Sequence, residues 1–199
     1  QETIRIWGLH GRDRDGELFI FREVLGGGSG GREYADGSDA IHIVPNSRNL
    51  PAEFSEIRYA VRVEKLALCP DSGGPGKRRG GLGYLKEFTV LSDAGVFSLA
   101  DRSKLACWGV NGGKAGGNYQ IVLNPETRKE RVLPALCDNV PVKKGDRIRV
   151  ITTGGGGWGD PLRREVERVQ LDVIQGKVTR EGARRDYGAV IGPGERCPV

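Results

Sequence analysis

The sequence contains no methionine, and histidine is almost absent, with two residues in a chain of 199. A primary translation product begins with methionine, so we expect this chain to be a processed or excised piece of something longer. The two histidines, His10 and His42, lie far apart, and no H-x-x-x-H, H-x-D or clustered-cysteine pattern accompanies them. Such patterns are typical of metal centres, and a Ser or Cys triad would also need one of these histidines. The sequence therefore predicts no metal site and gives little support for a catalytic triad.

Cysteine is also scarce, and its four residues, Cys69, Cys107, Cys137 and Cys197, are widely spaced. No C-x-x-C pair occurs, so neither a zinc knuckle nor a redox dithiol is indicated. We interpret the cysteines as reduced thiols of a cytoplasmic protein. No apolar run reaches the roughly 20 residues that span a bilayer, and no signal peptide opens the chain. We therefore expect a soluble protein with no membrane partner.

Charge of one sign does not dominate, because 31 Lys and Arg face 26 Asp and Glu, for a net charge of +5. A run of three cations, Lys77, Arg78 and Arg79, lies among glycines without aromatic neighbours that would stack on bases. Such a loop can grip phosphate or RNA, but a solvated or interface loop is the preferred interpretation, and we expect no nucleic-acid partner. The segment is not a Walker loop, because Arg78 follows Lys77 where Ser or Thr is required and Asp71 replaces the first glycine.

Glycine is abundant, with 32 residues in discrete clusters, which indicates turns between short strands. Alternation of apolar and polar residues predicts those strands. The predicted strands span residues 3–7, 17–24, 57–68, 86–91, 96–99, 119–123, 130–133 and 146–151. Helical periodicity is confined to about the last forty residues. We therefore predict an α+β fold with a β-rich body over residues 1–153, and a glycine turn and helical tail packed on it over residues 154–199.

The most informative glycine cluster is Gly154–Gly157, which joins the predicted strand 146–151 to the helical tail. Gly154, Gly156 and Gly159 match the G-x-G-x-x-G dinucleotide fingerprint. A dinucleotide-binding unit also needs a second parallel strand after the helix, and none is predicted before the sequence stops. A second match, over residues 26–31, is followed by a turn-rich stretch without helical periodicity. A close-packed structural turn is the preferred interpretation of the tetraglycine, with a bound anion at the helix N-terminus as the alternative.

The start and end of the tail helix are also readable in the sequence. Asp160 can cap the free N–H groups of a helix whose first position suits Pro161, and Gly176 provides a stop. The spacing between these residues predicts one buried helical stripe. Its members are Leu162, Val166, Val169 and Val173.

A series of motifs occurs in a fixed order along the chain. They are Gly27-Gly28-Ser29-Gly30 with Asp36-Gly37, Asn49–Glu53, Pro70–Gly83, Asp101-Arg102, Trp108-Gly109 with Gly112-Gly113, Gly145-Asp146, Gly154–Pro161 and Arg185–Gly188. This ordered series resembles the C-terminal part of the hydantoinase B subunit. That family is also called the hydantoinase B/oxoprolinase family, and it includes the large subunit of acetone carboxylase. The similarity covers essentially the whole chain.

The resemblance implies a role in an ATP-dependent, multi-subunit enzyme. A hydantoinase A-type partner would bind ATP with a divalent cation and activate the substrate by phosphorylation, and the B-type subunit would complete the reaction. The outcome would be hydrolysis of a cyclic amide of the hydantoin or oxoproline type. The alternatives are carboxylation of a ketone such as acetone, and a non-catalytic assembly domain.

The same resemblance implies the partners and cofactors. We expect a cytoplasmic hetero-oligomer that contains the hydantoinase A-type subunit and the N-terminal half of the B subunit. This chain would bind no cofactor, and any metal would lie in that missing N-terminal half. We therefore expect the isolated chain to be inactive.

Four charged residues lie in the most family-like segments and are the candidate site residues: Asp71, Arg79, Asp101 and Arg102. Carboxylate and guanidinium groups can line a substrate site or form buried charge-assisted hydrogen bonds that lock loops together. Loop locking is the preferred interpretation of these four residues.

Overall fold

The structure is a computed structural model that describes residues 5–42 and 49–192. Its described strands form two antiparallel sheets, with strand orders β2-β1-β5-β8 and β3-β4-β9-β6-β7. The strands are β1 Arg5–Arg12, β2 Leu18–Leu25, β3 Val61–Leu68, β4 Tyr84–Val90, β5 Ala94–Leu99, β6 Gln120–Leu123, β7 Arg131–Leu133, β8 Leu136–Val142 and β9 Arg147–Ile151. The helices are α1 Ala52–Arg58, α2 Val166–Ile174 and α3 Arg180–Tyr187, with a 3-10 turn at Pro161–Arg163. Two sheets with a few short helices confirm the predicted α+β fold.

The helices are short as well as few. The longest of them, α2, has nine residues. Within the described ranges, none combines the length and the apolar character that a membrane crossing demands.

The core lies between the two sheets and is rich in aromatic residues. Trp7 of β1 contacts Phe88 of the second sheet, with ring centroids 4.9 Å apart, and both rings meet Phe21 of β2 at 5.6 Å. An ion pair also joins the sheets, because Lys86 Nζ lies 2.6 Å from Glu23 Oε1 and both side chains are buried. The indole of Trp7 donates to the second oxygen of Glu23 at 3.2 Å. The buried carboxylate is therefore satisfied on both sides, as such a group requires.

The first part of the predicted strand 57–68 is wrong, because residues 52–58 form α1 and the strand begins only at Val61. The alternation in this stretch is compatible with a strand, but Ile57 is 87% exposed and packs in no sheet. Pro51 precedes the helix, while Glu53 in the first turn and Arg58 in the last turn complement its dipole. Helix is therefore not confined to the C-terminal region.

β8 is a strand that the sequence pattern does not predict. It contains Asp138, Asn139 and Pro141, which are residue types that strands disfavour. The structure places β8 at the edge of the first sheet, where a missing N–H is tolerated. Its register with β5 shifts between Val96 and Ser98, which marks an irregular edge.

The region after the tetraglycine begins with a 3-10 turn and not with the predicted helix. Asp160 does act as a cap, since its Oδ1 accepts a hydrogen bond from the backbone N–H of Leu162 at 3.0 Å. Arg164 then adopts an extended backbone, with φ −72° and ψ 133°. α2 therefore starts afresh at Val166, and Gly176 with φ +69° follows its end.

This restart makes the predicted apolar stripe wrong for two of its four members. Leu162 is 70% exposed and Val166 is 57% exposed, because the extended residues between them change the helical register. Val169 is buried and Val173 packs beside it, in a small cluster with Tyr187 of α3. Residues 3–4 of the first predicted strand and Cys197 lie outside the described residues.

Candidate functional site

Four glycine-rich segments lie side by side outside the two sheets, and we call them the glycine bundle: residues 26–31, 72–83, 107–117 and 152–159. They exchange backbone hydrogen bonds as neighbouring strands do. Gly28 donates to the carbonyl of Thr153 at 3.0 Å, and Gly155 donates to that of Gly81 at 2.9 Å. Gly154 donates to the carbonyl of Gly117 at 3.1 Å. The bundle therefore joins segments that are far apart in sequence.

The backbones of the bundle touch so closely that most positions exclude a side chain. A Cβ atom on Gly154 would overlap the carbonyl of Ser72, and one on Gly155 would overlap that of Ser29. Gly156 likewise meets the carbonyl of Trp108. These contacts confirm the interpretation of the tetraglycine as a close-packed turn, since only glycine allows such an approach.

Asp71 connects the bundle to α3. Its two carboxylate oxygens accept hydrogen bonds from the backbone N–H of Thr179 at 2.9 Å and from its hydroxyl at 2.6 Å. The same Thr179 oxygen caps α3 by accepting from the N–H of Gly182 at 2.9 Å. Asp71 itself has φ +60°, an unusual backbone conformation for a residue with a side chain. The side chain of Asp71 therefore links its loop to α3 by hydrogen bonds, and its role in locking the loop stays a prediction.

Arg79 lies in a buried network of charges between the bundle and α2. Its Nη1 lies 3.2 Å from Asp39 Oδ1 and its Nε lies 3.4 Å from Asp172 Oδ2. Arg164 binds Asp36 through two nitrogens, at 2.7 and 2.9 Å, and reaches Asp172 at 2.7 Å. Lys177 Nζ lies 3.1 Å from the second oxygen of Asp39. We call this network the arginine clasp, and its members are Asp36, Asp39, Arg79, Arg164, Asp172 and Lys177.

The clasp shifts the acidities of its members. Burial raises the pKa of Asp36, but the hydrogen bonds and charge of Arg164 outweigh it, so the pKa lies below its usual value. Burial also raises the pKa of Asp39, but the hydrogen bond from the backbone N–H of Leu82 and the charge of Arg79 outweigh this effect. The pKa of Asp39 therefore also lies below its usual value. Both carboxylates are therefore held in the charged form.

Asp101 and Arg102 precede the third segment of the glycine bundle, residues 107–117, in the sequence. Asp101 lies 3.7 Å from the Nε atom of the fully buried Arg5. The guanidinium carbon of Arg102 lies 5.2 Å from the centroid of the Trp108 ring, at the distance of a cation–π contact. The backbone of Arg102 has φ +57°.

Arg102 also lines a cavity of about 360 Å³ at the surface of the glycine bundle. The other lining residues are Gly28, Gly30, Gly31, Cys107, Trp108, Val110, Gly155 and Gly156. Arg79 lines a different cavity, beside α2. The structure therefore does not bring the four candidate residues to one site. Asp71 and Arg79 make locking contacts, Asp101 pairs with Arg5, and Arg102 faces a cavity.

The sequence pattern does not identify Cys107 and Trp108 as cavity residues. Trp108 belongs to one of the family-like motifs, but only the fold places its ring over Arg102. Across residues 5–42 and 49–192, no three His, Cys, Asp or Glu side chains are grouped to hold a metal ion.

Comparison with known proteins identifies the family. Residues 1–161 match the family described as hydantoinase B/oxoprolinase. The chain belongs to the hydantoinase B/oxoprolinase family. It is 36% identical, over 176 residues and 87% of its length, to the B subunit of a putative D-/L-hydantoinase from Pseudomonas sp. (strain NS671). The chain covers 30% of that relative's length.

Two solved structures share the fold of this family member. The ATP-dependent caprolactamase from Pseudomonas jessenii superposes with a TM-score of 0.82 at 28% identity, over 96% of this chain and 34% of that one. A nucleotide-free acetone carboxylase also gives a TM-score of 0.82, at 21% identity, over 98% of this chain and 30% of that one. The second similarity concerns the fold alone.

Proposed function

We propose that this chain is part of the B-type subunit of an ATP-dependent hydrolase that opens cyclic amides of the hydantoin or oxoproline type. The observation that carries the proposal is the 36% identity to a hydantoinase B subunit over 87% of the chain. The similarity to an ATP-dependent caprolactamase supports it, because a lactam is also a cyclic amide. Amide carbonyls react slowly with water, and phosphorylation by ATP would activate the carbonyl and lower the barrier to hydrolysis.

We assign ATP and its divalent cation to a hydantoinase A-type partner. The tetraglycine Gly154–Gly157 does not fit a triphosphate, because three of its four backbone N–H groups already donate to protein carbonyls. The acceptors are the carbonyls of Gly117, Gly81 and Lys114. Arg79, in the cationic run, already pairs with carboxylates of the arginine clasp. A phosphate-binding loop needs free backbone N–H groups and a free cationic side chain.

The chain covers about a third or less of the relatives described above. We therefore propose that the missing N-terminal half of the B subunit supplies the hydrolytic centre and any metal, and that the isolated chain is inactive. In this proposal the bundle and the clasp form a rigid support in a hetero-oligomer. We place the complex in the cytoplasm, since Cys69, Cys107 and Cys137 are free thiols.

The proposal is tested by reconstitution. The chain is combined with the N-terminal half of a B-type subunit and a hydantoinase A-type partner, and supplied with ATP and hydantoin, 5-oxoproline or caprolactam. We expect ring opening that consumes ATP and stops when any component is omitted. Turnover with acetone and bicarbonate in place of a cyclic amide would select the carboxylase alternative. Turnover by the 199-residue chain alone would contradict the supporting role.

A further inference from the structure

Among the described residues that line the cavity beside Arg102 and Trp108, one carries a charge, the guanidinium of Arg102. Its other side chains are the thiol of Cys107, the indole of Trp108 and the isopropyl group of Val110. Glycine backbone forms the rest of the wall. A concave site of this size is typical of small-molecule binding.

Within residues 5–42 and 49–192, the N–H donors of the Arg102 guanidinium have no acceptor. Among the described residues, its side chain makes no hydrogen bond and no ion pair, and its contact is with the face of Trp108. A guanidinium carries five N–H donors in a planar fork that matches a carboxylate or a phosphate. The ring contact fixes the position of this fork and leaves those donors available.

Two glycines of the cavity wall have backbone N–H groups without an acceptor among the described residues. Neither Gly30 nor Gly156 donates its backbone N–H to an acceptor within residues 5–42 and 49–192, although neighbouring Gly31 and Gly155 both do. Gly156 is also buried. Backbone N–H groups left over in a glycine-rich wall are favourable to an anion.

We propose that this cavity binds a small oxyanion carried on a planar amide group, with Arg102 holding the oxyanion and Trp108 stacking on the amide plane. The ligand class rests on the proposed function. Ring opening of a hydantoin creates a carboxylate beside a planar ureido group, and an activated substrate would instead carry a phosphate. Both ligands present an oxyanion to Arg102.

A covering protein surface fits the cavity less well than a small anion does. Trp108 is 70% exposed and Val110 is 52% exposed, so an apolar partner would find contacts here. Such a partner would also bury the Arg102 guanidinium without an acceptor, which is costly. An anionic ligand compensates the charge of Arg102, and its planar amide group can stack on the indole ring of Trp108.

The test measures binding to the 199-residue chain by calorimetry, with an N-carbamoyl amino acid, the matching neutral hydantoin, and inorganic phosphate as separate ligands. We expect saturable binding of the N-carbamoyl amino acid and weaker binding of the hydantoin. Arg102→Gln should weaken the binding about tenfold to hundredfold, as expected for the loss of a charge-assisted hydrogen bond. Phosphate binding with the same sensitivity would support the oxyanion site and identify phosphate as its source.

A second variant acts without touching Arg102. A Cβ atom at Gly30 would have only the Gly156 carbonyl within 4 Å, at 3.8 Å, so the space beside it is open. Gly30→Leu should fill the cavity and abolish binding, while Gly30→Ala should keep the fold and most of the affinity. Arg128→Gln, at an exposed arginine on the turn between β6 and β7, is the matched charge control.

Three outcomes would overturn the inference. They are no binding of any of the three ligands, binding that Arg102→Gln and Gly30→Leu leave unchanged, and Trp108 becoming shielded only when a protein partner is added. Turnover of the reconstituted enzyme is measured separately. Ring opening without binding here would remove the inference alone, and binding here without ring opening would remove the proposed function alone.

Discussion

Arg164 and Asp36 lie 128 positions apart in the sequence and form a two-point ion pair, with nitrogen–oxygen distances of 2.7 and 2.9 Å. Asp36 belongs to the loop after the first glycine segment, and Arg164 precedes α2. The same guanidinium binds Asp172 of α2 at 2.7 Å. Its Nη1 atom also donates to the carbonyl of Lys77 at 3.2 Å, so this one side chain connects α2 to the glycine bundle and to the loop after its first segment.

We expect Arg164→Gln to loosen the C-terminal helices. Removing one partner of a buried ion pair leaves an uncompensated charge and costs about 3–5 kcal/mol. Urea unfolding measures the change in free energy, and limited proteolysis locates it in residues 160–192. The control is Arg163→Gln, since Arg163 is 80% exposed and lies 4.0 Å from Asp160. Equal stability of the two variants would contradict a holding role for the clasp.

The arginine clasp should also make stability depend on pH. The pKa values of Asp36 and Asp39 are lowered from 3.8 in the folded state, so the unfolded chain binds more protons in acid. Their contribution is therefore fully present above about pH 4 to 5 and is lost as pH falls through the folded pKa values. We expect the urea midpoint to fall more steeply in acid for the native chain than for Asp36→Asn. Parallel pH profiles would count against this origin.

Two alanine substitutions within the glycine bundle should differ sharply. A Cβ atom at Gly155 overlaps the carbonyl of Ser29, whereas one at Gly30 lies 3.8 Å from its nearest neighbour. We expect Gly155→Ala to destabilise the chain by about 1–3 kcal/mol or more, because overpacked backbone has to shift. Gly30→Ala should have little effect. Thermal melting of both variants measures the difference, and similar melting points would show that the bundle is loosely packed.

The corrected helix register predicts which valine matters. Val169→Asp removes a buried side chain worth about 1.5–3 kcal/mol and adds a buried charge, so α2 should detach. Val166→Asp should change the free energy of unfolding by less than about 0.5 kcal/mol, since Val166 is 57% exposed. Tail proteolysis and melting temperature report both effects. A destabilised Val166→Asp variant would restore the stripe that the sequence period predicts.

Substitutions of the candidate residues Asp71 and Arg102 should have different effects, one on stability and the other on turnover. Asp71→Ala removes two hydrogen bonds to Thr179 and should cost about 1–3 kcal/mol, with faster hydrogen exchange in α3. Arg102→Gln should leave the unfolding free energy within about 0.5 kcal/mol and lower the turnover of the reconstituted enzyme. Unchanged turnover for Arg102→Gln would exclude a role in the site.

Local patterns predict at least part of every described strand except β8, because alternation of apolar and polar residues marks a strand with one buried face. They fail where local signals compete. The stretch before Val61 alternates like a strand, but Pro51 and the charges of α1 favour a helix. The tail has a helical period, but the extended backbone of Arg164, whose side chain belongs to the clasp, interrupts it. The division of the chain after residue 153 stays a prediction.

The candidate site was less accessible to sequence reasoning than the fold. Family-like motifs select Arg79 and Arg102 equally, although one is enclosed by carboxylates and the other faces a cavity. That difference arises from partners up to about a hundred residues away, such as Asp172 for Arg79. No local pattern contains such information, and only the assembled bundle reveals it.

The glycine bundle has a consequence for how the cavity can acquire selectivity. Its wall presents peptide groups alone, and most of its positions have no room for even a methyl group. Apart from Gly30, whose Cβ would meet open space, chemical variety among the described lining residues of this cavity therefore comes from its rim, where Arg102, Cys107, Trp108 and Val110 contribute side chains. Exchanging one short segment, residues 102–110, would therefore change the ligand preference while the glycine wall of the cavity stays the same.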